Sequence, residues 1–397
     1  MSCQKRRMRP IWGASSFRHS SMGILRPSAS AELEDCALFF LPSGSIKPRR
    51  KEMKISEVSS QKIKNMSLLC AFFVVSIHVS WTHEQALSAG WFMYNAIAQG
   101  IARIAVPFFF VVSGYFLAQH FDEEGWWGRE VKKRIKSLVV PFLLWSIITL
   151  VAPVPLSIIA DLIAHRPFGT NIYILHDCNW LRLFGLDLTD FPLHVPLWYV
   201  RCLFFFVLTG SLFKVCVTRF KYAWIASAFA FLLVCNHLPN ENLREFFRMG
   251  YSAGGIFYFS VGVAIQRFRL GGASRRVAVI CGIVGLSLLA TKLLFAFNLW
   301  RGEIAIGKIM LPFLIYFTWH FMPARKLPNY LTSCSFPIFL MHTVLFAYIG
   351  IALKHLPVEG LSRDFAIFFG GILGSVVIAL VLRRFAPKVA ALLFGGR

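Results

Sequence analysis

Acidic residues are scarce in this chain, where 19 Asp and Glu stand against 42 Lys and Arg among 397 residues. Charged residues of both signs make up only 15%, whereas hydrophobic residues reach 56% and include 40 phenylalanines. Soluble domains usually contain about 45–50% apolar residues. Together with a mean hydropathy of +0.60, the composition excludes an ordinary soluble domain and indicates an integral membrane protein.

Metal-ligand and disulfide patterns are also missing. The nine cysteines show no CxxC spacing, and several lie inside apolar runs, as Cys70, Cys202 and Cys281 do, so we interpret them as small packing residues. No metal is expected. The basic residues form short clusters between apolar runs and lack interleaved aromatic residues, which argues against nucleic acid as a partner and in favour of membrane lipid.

The first part of the chain differs in composition from the rest. Residues 1–52 are rich in Lys, Arg, Ser and Pro, and their single apolar patch is too short for a signal peptide. Residues 1–61 are predicted to be a basic, disordered cytoplasmic segment, and residues 62–397 a membrane domain. Because Met53 opens an ordinary cytoplasmic lead, "MKISEVSSQKIKN", we expect residues 1–52 to be a start-site extension.

Ten apolar stretches approach the roughly 20 residues that a membrane-spanning helix needs. They cover about residues 66–82, 100–120, 138–160, 196–213, 222–236, 250–266, 277–297, 304–321, 335–353 and 365–382. With the N-terminus inside, 31 of the 42 Lys and Arg fall in cytoplasmic segments. The sequence predicts an all-α polytopic bundle of about ten transmembrane helices, with both termini cytoplasmic, in the cell inner (plasma) membrane.

Two arginines lie near the outer ends of aromatic-rich spans, Arg103 in "IARIAVPFFFVVSGYFL" and Arg201 in "PLWYVRCLFFFVL". A charge at mid-bilayer costs on the order of 3 kcal/mol, so such a residue usually faces a cavity or a ligand. Both arginines are therefore candidate binding residues, as are Trp198 and Tyr199 beside Arg201. The alternative is that the arginines reach outward to the lipid headgroups.

A histidine near the end of the first span, His78 in "SLLCAFFVVSIHVSW", poses the main question. It follows Met66 by twelve residues, about 18 Å along a helix, which places it in the outer half of the bilayer. His342, in "SFPIFLMHTVLF", lies at a comparable depth. A neutral imidazole beside fixed cations can take a proton from a hydroxyl, so His78 is predicted to be a general base. The alternative is a hydrogen-bonded packing histidine.

On the cytoplasmic side the cluster "REVKKRIK", from Arg129 to Lys136, precedes the third span. Such a cluster is expected from topology alone, and it could equally bind the phosphates of a large anionic donor.

These motifs, in this order, resemble the acyltransferase 3 family of integral membrane acyltransferases. The resemblance rests on "KNMSLLCAFFVVSIH", "RIAVPFFFVVSGYFL", the basic run before "VPFLLW", "PLWYVR" and "FPIFLMH", and it covers about Lys62 to Arg384. It implies transfer of an acyl group, commonly acetyl, from cytoplasmic acyl-CoA to a hydroxyl of a cell-surface or lipid-linked carbohydrate, with acetyl-CoA as the expected donor.

The resemblance also implies roles for particular residues. His78 matches the essential first-helix histidine, and Ser113 with Gly114 matches an "SGY" element that allows close approach of a helix or of a thin donor arm. The residues expected to bind donor or acceptor are Arg103, Ser113, Arg129, Lys133, Arg134, Trp198, Tyr199, Arg201 and His342. The family usually carries a basic residue eleven positions before the histidine; here that residue is Ser67, and Lys64 is a candidate substitute.

The acceptor is expected at the long outer loop from Asp161 to Val195. Its polar and aromatic residues suit sugars, namely His165, Arg166, Tyr173, His176, Asp177, Trp180, Arg182 and His194. Two alternatives from other classes are a multi-helix transporter and a structural export subunit for a polysaccharide. A transporter should show paired halves with matching broken helices, and no such pairing is evident.

Overall fold

The computed structural model describes residues 56–83, 85–163, 165, 167, 179–270, 274–297, 303–354 and 356–396. All of them fall in the compact unit Met53–Arg397. The expectation that residues 1–52 are a disordered start-site extension lies outside these residues. The first helix begins at Glu57, so the last five residues of the predicted segment 1–61 are helical.

The described residues form helices and no strand, which confirms the predicted all-α fold. The first nine α-helices are α1 Glu57–His78, α2 Ala89–Phe92, α3 Ala105–Ala118, α4 Trp126–Arg134, α5 Val140–Val151, α6 Val154–Ile163, α7 Trp180–Leu183, α8 Trp198–Leu208 and α9 Gly210–Val234. The next eight are α10 Glu241–Glu245, α11 Ala253–Arg267, α12 Arg275–Phe297, α13 Glu303–Phe321, α14 Asn329–Thr332, α15 Ser335–Leu353, α16 Gly360–Phe385 and α17 Pro387–Leu393.

Within the described residues, six helical stretches are long and apolar enough to cross a membrane. They are Ala89–Ala118, Trp126–Ile159, Gly210–His237, Arg275–Ala296, Ser335–Leu353 and Gly360–Phe385. The other four predicted spans correspond to α1, α8, α11 and α13, which are shorter or more polar. The protein is therefore a multi-pass membrane protein, while the count of ten spans and the cytoplasmic termini stay predictions.

Helix α1 is central although it carries polar residues at its cytoplasmic end. Ser56 caps its N-terminus by accepting a hydrogen bond from the Ser59 amide. Met66 and Cys70 are fully buried, because α1 packs against α3, α15 and α16. Neighbouring helices, and not lipid, cover this helix, so a strongly apolar sequence is not required.

Two glycines bring α3 and α11 into backbone contact. A Cβ on Gly114 would lie 2.2 Å from the carbonyl oxygen of Phe259, and a Cβ on Gly262 would lie 1.9 Å from that of Val111. Only glycine allows this approach. The close packing expected for the "SGY" element is therefore between helices.

Helix α9 consists of two helical parts that meet at a sharp break at Lys221, where φ is 48°. The sequence predicts an intervening segment over residues 214–221 and the start of span five at residue 222, so the break lies next to the predicted start, while the residues before the break are helical. A positive φ is uncommon for a residue with a side chain, so the break marks a forced change of chain direction. The preceding span ends at Leu208, where α8 stops before Thr209.

Candidate active site

Two histidines from different helices meet in the outer half of the bundle. The rings of His78, the last residue of α1, and His342 on α15 are 5.1 Å apart and tilted by 45°. His342 is fully buried, and His78 is partly accessible. The structure thus brings together the two histidines that the sequence placed at similar depth.

The hydrogen bonds of His342 determine which ring nitrogen carries its proton. Its Nδ1 lies 3.0 Å from the carbonyl oxygen of Ile338, which can only accept, so Nδ1 carries the hydrogen. Nε2 is buried and has no hydrogen-bond partner. A neutral His342 therefore has a free acceptor nitrogen, which can hold the N–H of a neighbouring ring or of a ligand.

A third buried histidine, His194, completes the cluster. Its Nε2 donates to the carbonyl oxygen of Leu340 at 2.7 Å, and its Nδ1 accepts from the Thr149 hydroxyl at 2.7 Å. His194 lies within electrostatic range of both His78 and His342. Through these bonds it ties α5 to the turn of α15 that carries His342. Within the described residues, no His, Cys, Asp or Glu cluster is arranged to hold a metal ion.

Arg103 lies beside this cluster at the outer side. Its guanidinium donates to the Gln99 side chain through Nε at 3.1 Å and through Nη2, and its charge is within electrostatic range of His78. Lys292, buried on α12, donates to the backbone oxygen of Gln99 at 3.1 Å. Arg103 is exposed, so a cation stands at an accessible position near the histidine pair.

A cavity of about 370 Å³, called here the inner cavity, lies at the end of the bundle that the sequence predicts to be cytoplasmic. Lys133 and Arg134 stand at its inner end, and Ser67 lines its wall. At its far end lie Tyr199 and Phe339, whose rings are 5.9 Å apart. Phe339 is one turn before His342 on α15, although neither His78 nor His342 is itself among the residues that line the cavity.

The aromatic end of the inner cavity also contains the predicted Ser113. The hydroxyls of Ser113 and Tyr199 are 3.4 Å apart, and both side chains line the cavity. Trp198 packs against Phe110 at 6.4 Å and is not among the lining residues. Of the predicted aromatic pair, only Tyr199 reaches the cavity.

The three predicted cytoplasmic cations separate into two groups. Lys133 and Arg134 both lie 3.3 Å from the buried carboxylate of Glu130 and line the inner cavity. Arg129 instead pairs with Glu123 and faces a smaller cavity. Lys64 is exposed and is not among the residues that line the inner cavity, whereas Ser67 is.

Arg201 is buried and held by backbone carbonyl groups. Its guanidinium donates to the carbonyl oxygens of Gly185 at 3.5 Å, Asp190 at 2.9 Å and Met249 at 3.1 Å, and also to that of Asp187. Only 5% of the residue is exposed, so it is not a lipid-facing anchor. These contacts fasten the outer loop that precedes α8 and differ from the predicted binding of an acyl or acceptor oxyanion.

The predicted acceptor loop is described only in part. Arg166, Tyr173, His176 and Asp177 lie outside the described residues. Trp180 is exposed, and Arg182 donates to the Phe191 carbonyl oxygen at 2.9 Å. His194 is buried beside His342 and is not on the loop surface. The sequence offered one signal for this burial, namely its place four residues before Trp198 at a span start.

The fold and site together define a multi-pass membrane protein with a cluster of histidines between its helices and a separate cavity lined by basic residues. The chain belongs to the Acyl_transf_3 family, described as "Acyltransferase domain", whose model matches residues 63–384. This confirms the resemblance stated from the motifs.

One curated relative is the "Succinoglycan biosynthesis protein ExoH" of Rhizobium meliloti (strain 1021). It is 24% identical over 209 residues, which is 49% of this chain and 53% of that protein. The chain thus matches about half the length of this relative. No solved structure matches the chain.

Proposed function

We propose that this protein moves an acyl group, with acetyl the expected one, from cytoplasmic acyl-CoA to a hydroxyl of a cell-surface or lipid-linked carbohydrate. The observation that carries the proposal is the His78–His342 pair, together with a basic-ended cavity that reaches Phe339, one helical turn from His342. The name of the relative, a succinoglycan biosynthesis protein, supports a carbohydrate acceptor. The inner membrane is the expected location.

The shape of the inner cavity supports a long, thin donor. It has apolar walls such as Phe116 and Phe336 and a basic inner end at Lys133 and Arg134. A pantetheine arm fits such walls, and its phosphates would meet the cations. The thioester would then lie near Tyr199 and Ser113, one helical turn below His342.

In the proposed reaction His78 is the general base. The acceptor oxygen attacks the thioester carbonyl carbon while its proton moves to a ring nitrogen of His78. The carbon–sulfur bond then breaks, and the thiolate of CoA takes the proton from His78 and leaves as a thiol. His342 accepts the other N–H of His78 through its free Nε2 and so orients the ring. Arg103, at the outer side, stabilises the negative charge that develops on the carbonyl oxygen.

The test is acyl transfer by purified protein in liposomes. Protein, acetyl-CoA and lipid-linked oligosaccharide extracted from the host membrane are mixed, and free CoA thiol and labelled acceptor are measured. We expect His78→Ala to lower turnover about 10²- to 10⁴-fold, the usual cost of losing a general base. Near-normal turnover of His78→Ala at normal abundance would exclude its role. Absence of any transfer by the parent protein would favour the transporter or export-subunit alternatives.

A further inference from the structure

A second, smaller cavity opens beside the inner cavity on the cytoplasmic side. This side cavity has a volume of about 210 Å³ and is lined by His120, Glu123, Trp126, Arg129, Glu130 and Lys133. His120 and Lys133 also line the inner cavity. The two cavities therefore share a wall at Lys133, and a ligand long enough to pass Lys133 could contact both.

The charges of the side cavity are balanced. Two carboxylates, Glu123 and Glu130, face two cations, Arg129 and Lys133. The pKa of Glu123 is lowered by its hydrogen bond from His120 and by Arg129, so this carboxylate stays ionised at neutral pH. Balanced charge does not favour a phosphate, in contrast to the inner end of the inner cavity, where Lys133 and Arg134 share only Glu130.

The side cavity does offer flat surfaces and hydrogen-bond acceptors. The Arg129 guanidinium is 58% exposed and is held in place by Glu123 and by the Glu124 carbonyl oxygen. The Trp126 indole is fixed against Phe121, with ring centroids 4.7 Å apart. A planar guanidinium stacks on aromatic ring systems, and a carboxylate accepts hydrogen bonds from an amino group.

We propose that the side cavity binds the purine base at the nucleotide end of the donor. The arm of the donor then fills the inner cavity, its phosphates lie at Lys133 and Arg134, and the base stacks on Arg129 with its amino group directed to Glu123. This inference rests on the proposed function, because it requires a nucleotide-linked thioester. It separates Arg129 from Lys133 and Arg134, which the sequence grouped as one basic cluster.

The test compares two donors that differ only in the nucleotide end. Acetyl-CoA carries the purine nucleotide, whereas acetyl-4′-phosphopantetheine ends at the first phosphate. We expect Arg129→Ala and Glu123→Gln each to reduce kcat/KM for acetyl-CoA by about tenfold. A loss of this size lies at the low end of the free energy that stacking of one base usually contributes to binding. The same variants should use acetyl-4′-phosphopantetheine as well as the parent protein does, which also shows that they are folded.

Two further variants serve as controls. Lys132→Ala removes an exposed cation from the same helix that lines neither cavity, and it should leave both donors unaffected. Arg134→Gln should impair both donors, because both retain a phosphate near the inner cavity. If Arg129→Ala lowers the use of both donors equally, or of neither, the purine site is wrong. If the parent protein transfers from neither donor, the proposed function itself fails.

Discussion

At the scale of single residues, the site depends on which histidine nitrogens are free. The sequence identified His78 and His342 because a buried imidazole in a membrane helix is unusual. It could not identify His194 as their neighbour, because only the folding of the outer loop back into the bundle brings its Nε2 to the Leu340 carbonyl oxygen. Likewise, the sequence could not show that both terminal nitrogens of Arg201, Nη1 and Nη2, donate to backbone carbonyl groups.

His342→Phe tests the role of the free Nε2. The phenyl ring fills the buried space but cannot accept a hydrogen bond, so the ring of His78 loses its proposed partner. We expect kcat to fall by about 10- to 10³-fold, less than the largest losses seen when a catalytic histidine loses its orienting group. The KM for acetyl-CoA should stay within about twofold, because the substitution lies beyond the inner cavity. A change in donor KM with unaltered kcat would contradict the orienting role.

Arg201→Lys tests whether this residue fastens the outer loop. An ammonium group is a compact donor and cannot span the four carbonyl oxygens that the guanidinium joins. We expect the apparent Tm in detergent to fall and proteolysis between α7 and α8 to increase, while the KM for acetyl-CoA stays unchanged. A fully stable Lys variant with selectively lost turnover would instead restore the sequence prediction that Arg201 binds a reacting oxyanion.

At the scale of helices, the sequence predicted most spans because apolar length is a local property. It predicted α15 and α12 to within about two residues at each end. It placed the start of span five at residue 222, next to the break at Lys221 in α9, but it did not predict that the basic stretch before the break is helical. The "SGY" element pointed to Gly114 as a site of close approach, but nothing in the sequence indicated Gly262 as the glycine on the facing helix.

Gly262→Ala tests the contact between α3 and α11. The added methyl group would lie 1.9 Å from the Val111 carbonyl oxygen, and two helix backbones cannot both yield easily. We expect a loss of about 1–3 kcal/mol in stability, typical of overpacking, measured as a lower apparent Tm. The matched control is Gly350→Ala in α15, where nothing lies within 4 Å of the new Cβ. That variant should be neutral or slightly stabilised, because alanine favours helix.

At the scale of the whole molecule, contacts between distant segments group the polar ends of the helices. Lys62 donates to the His320 carbonyl oxygen, and Arg267 pairs with Asp122. Each contact joins two segments that are distant in sequence and that are both predicted to lie on the cytoplasmic side. On the opposite side the Thr82 amide donates to the buried Asp364. The inner cavity and the side cavity lie on the side of the Lys62 and Arg267 contacts. Arg103 lies on the side of the Thr82–Asp364 contact. Donor and acceptor would therefore approach the histidines from opposite faces.

This arrangement predicts that transfer in sealed vesicles has a fixed direction. Acetyl-CoA does not cross a bilayer because it is highly charged, so only molecules whose basic end faces outward can use donor added outside. We expect inside-out vesicles to release CoA thiol from added acetyl-CoA, and right-side-out vesicles to do so only after permeabilisation. The orientation of each preparation is measured by proteolysis of a tag at residue 397, which the charge distribution predicts to lie on the donor side. Equal rates in both intact preparations would show that the donor reaches His78 from either face, and the assignment of the inner cavity to the donor would then be wrong.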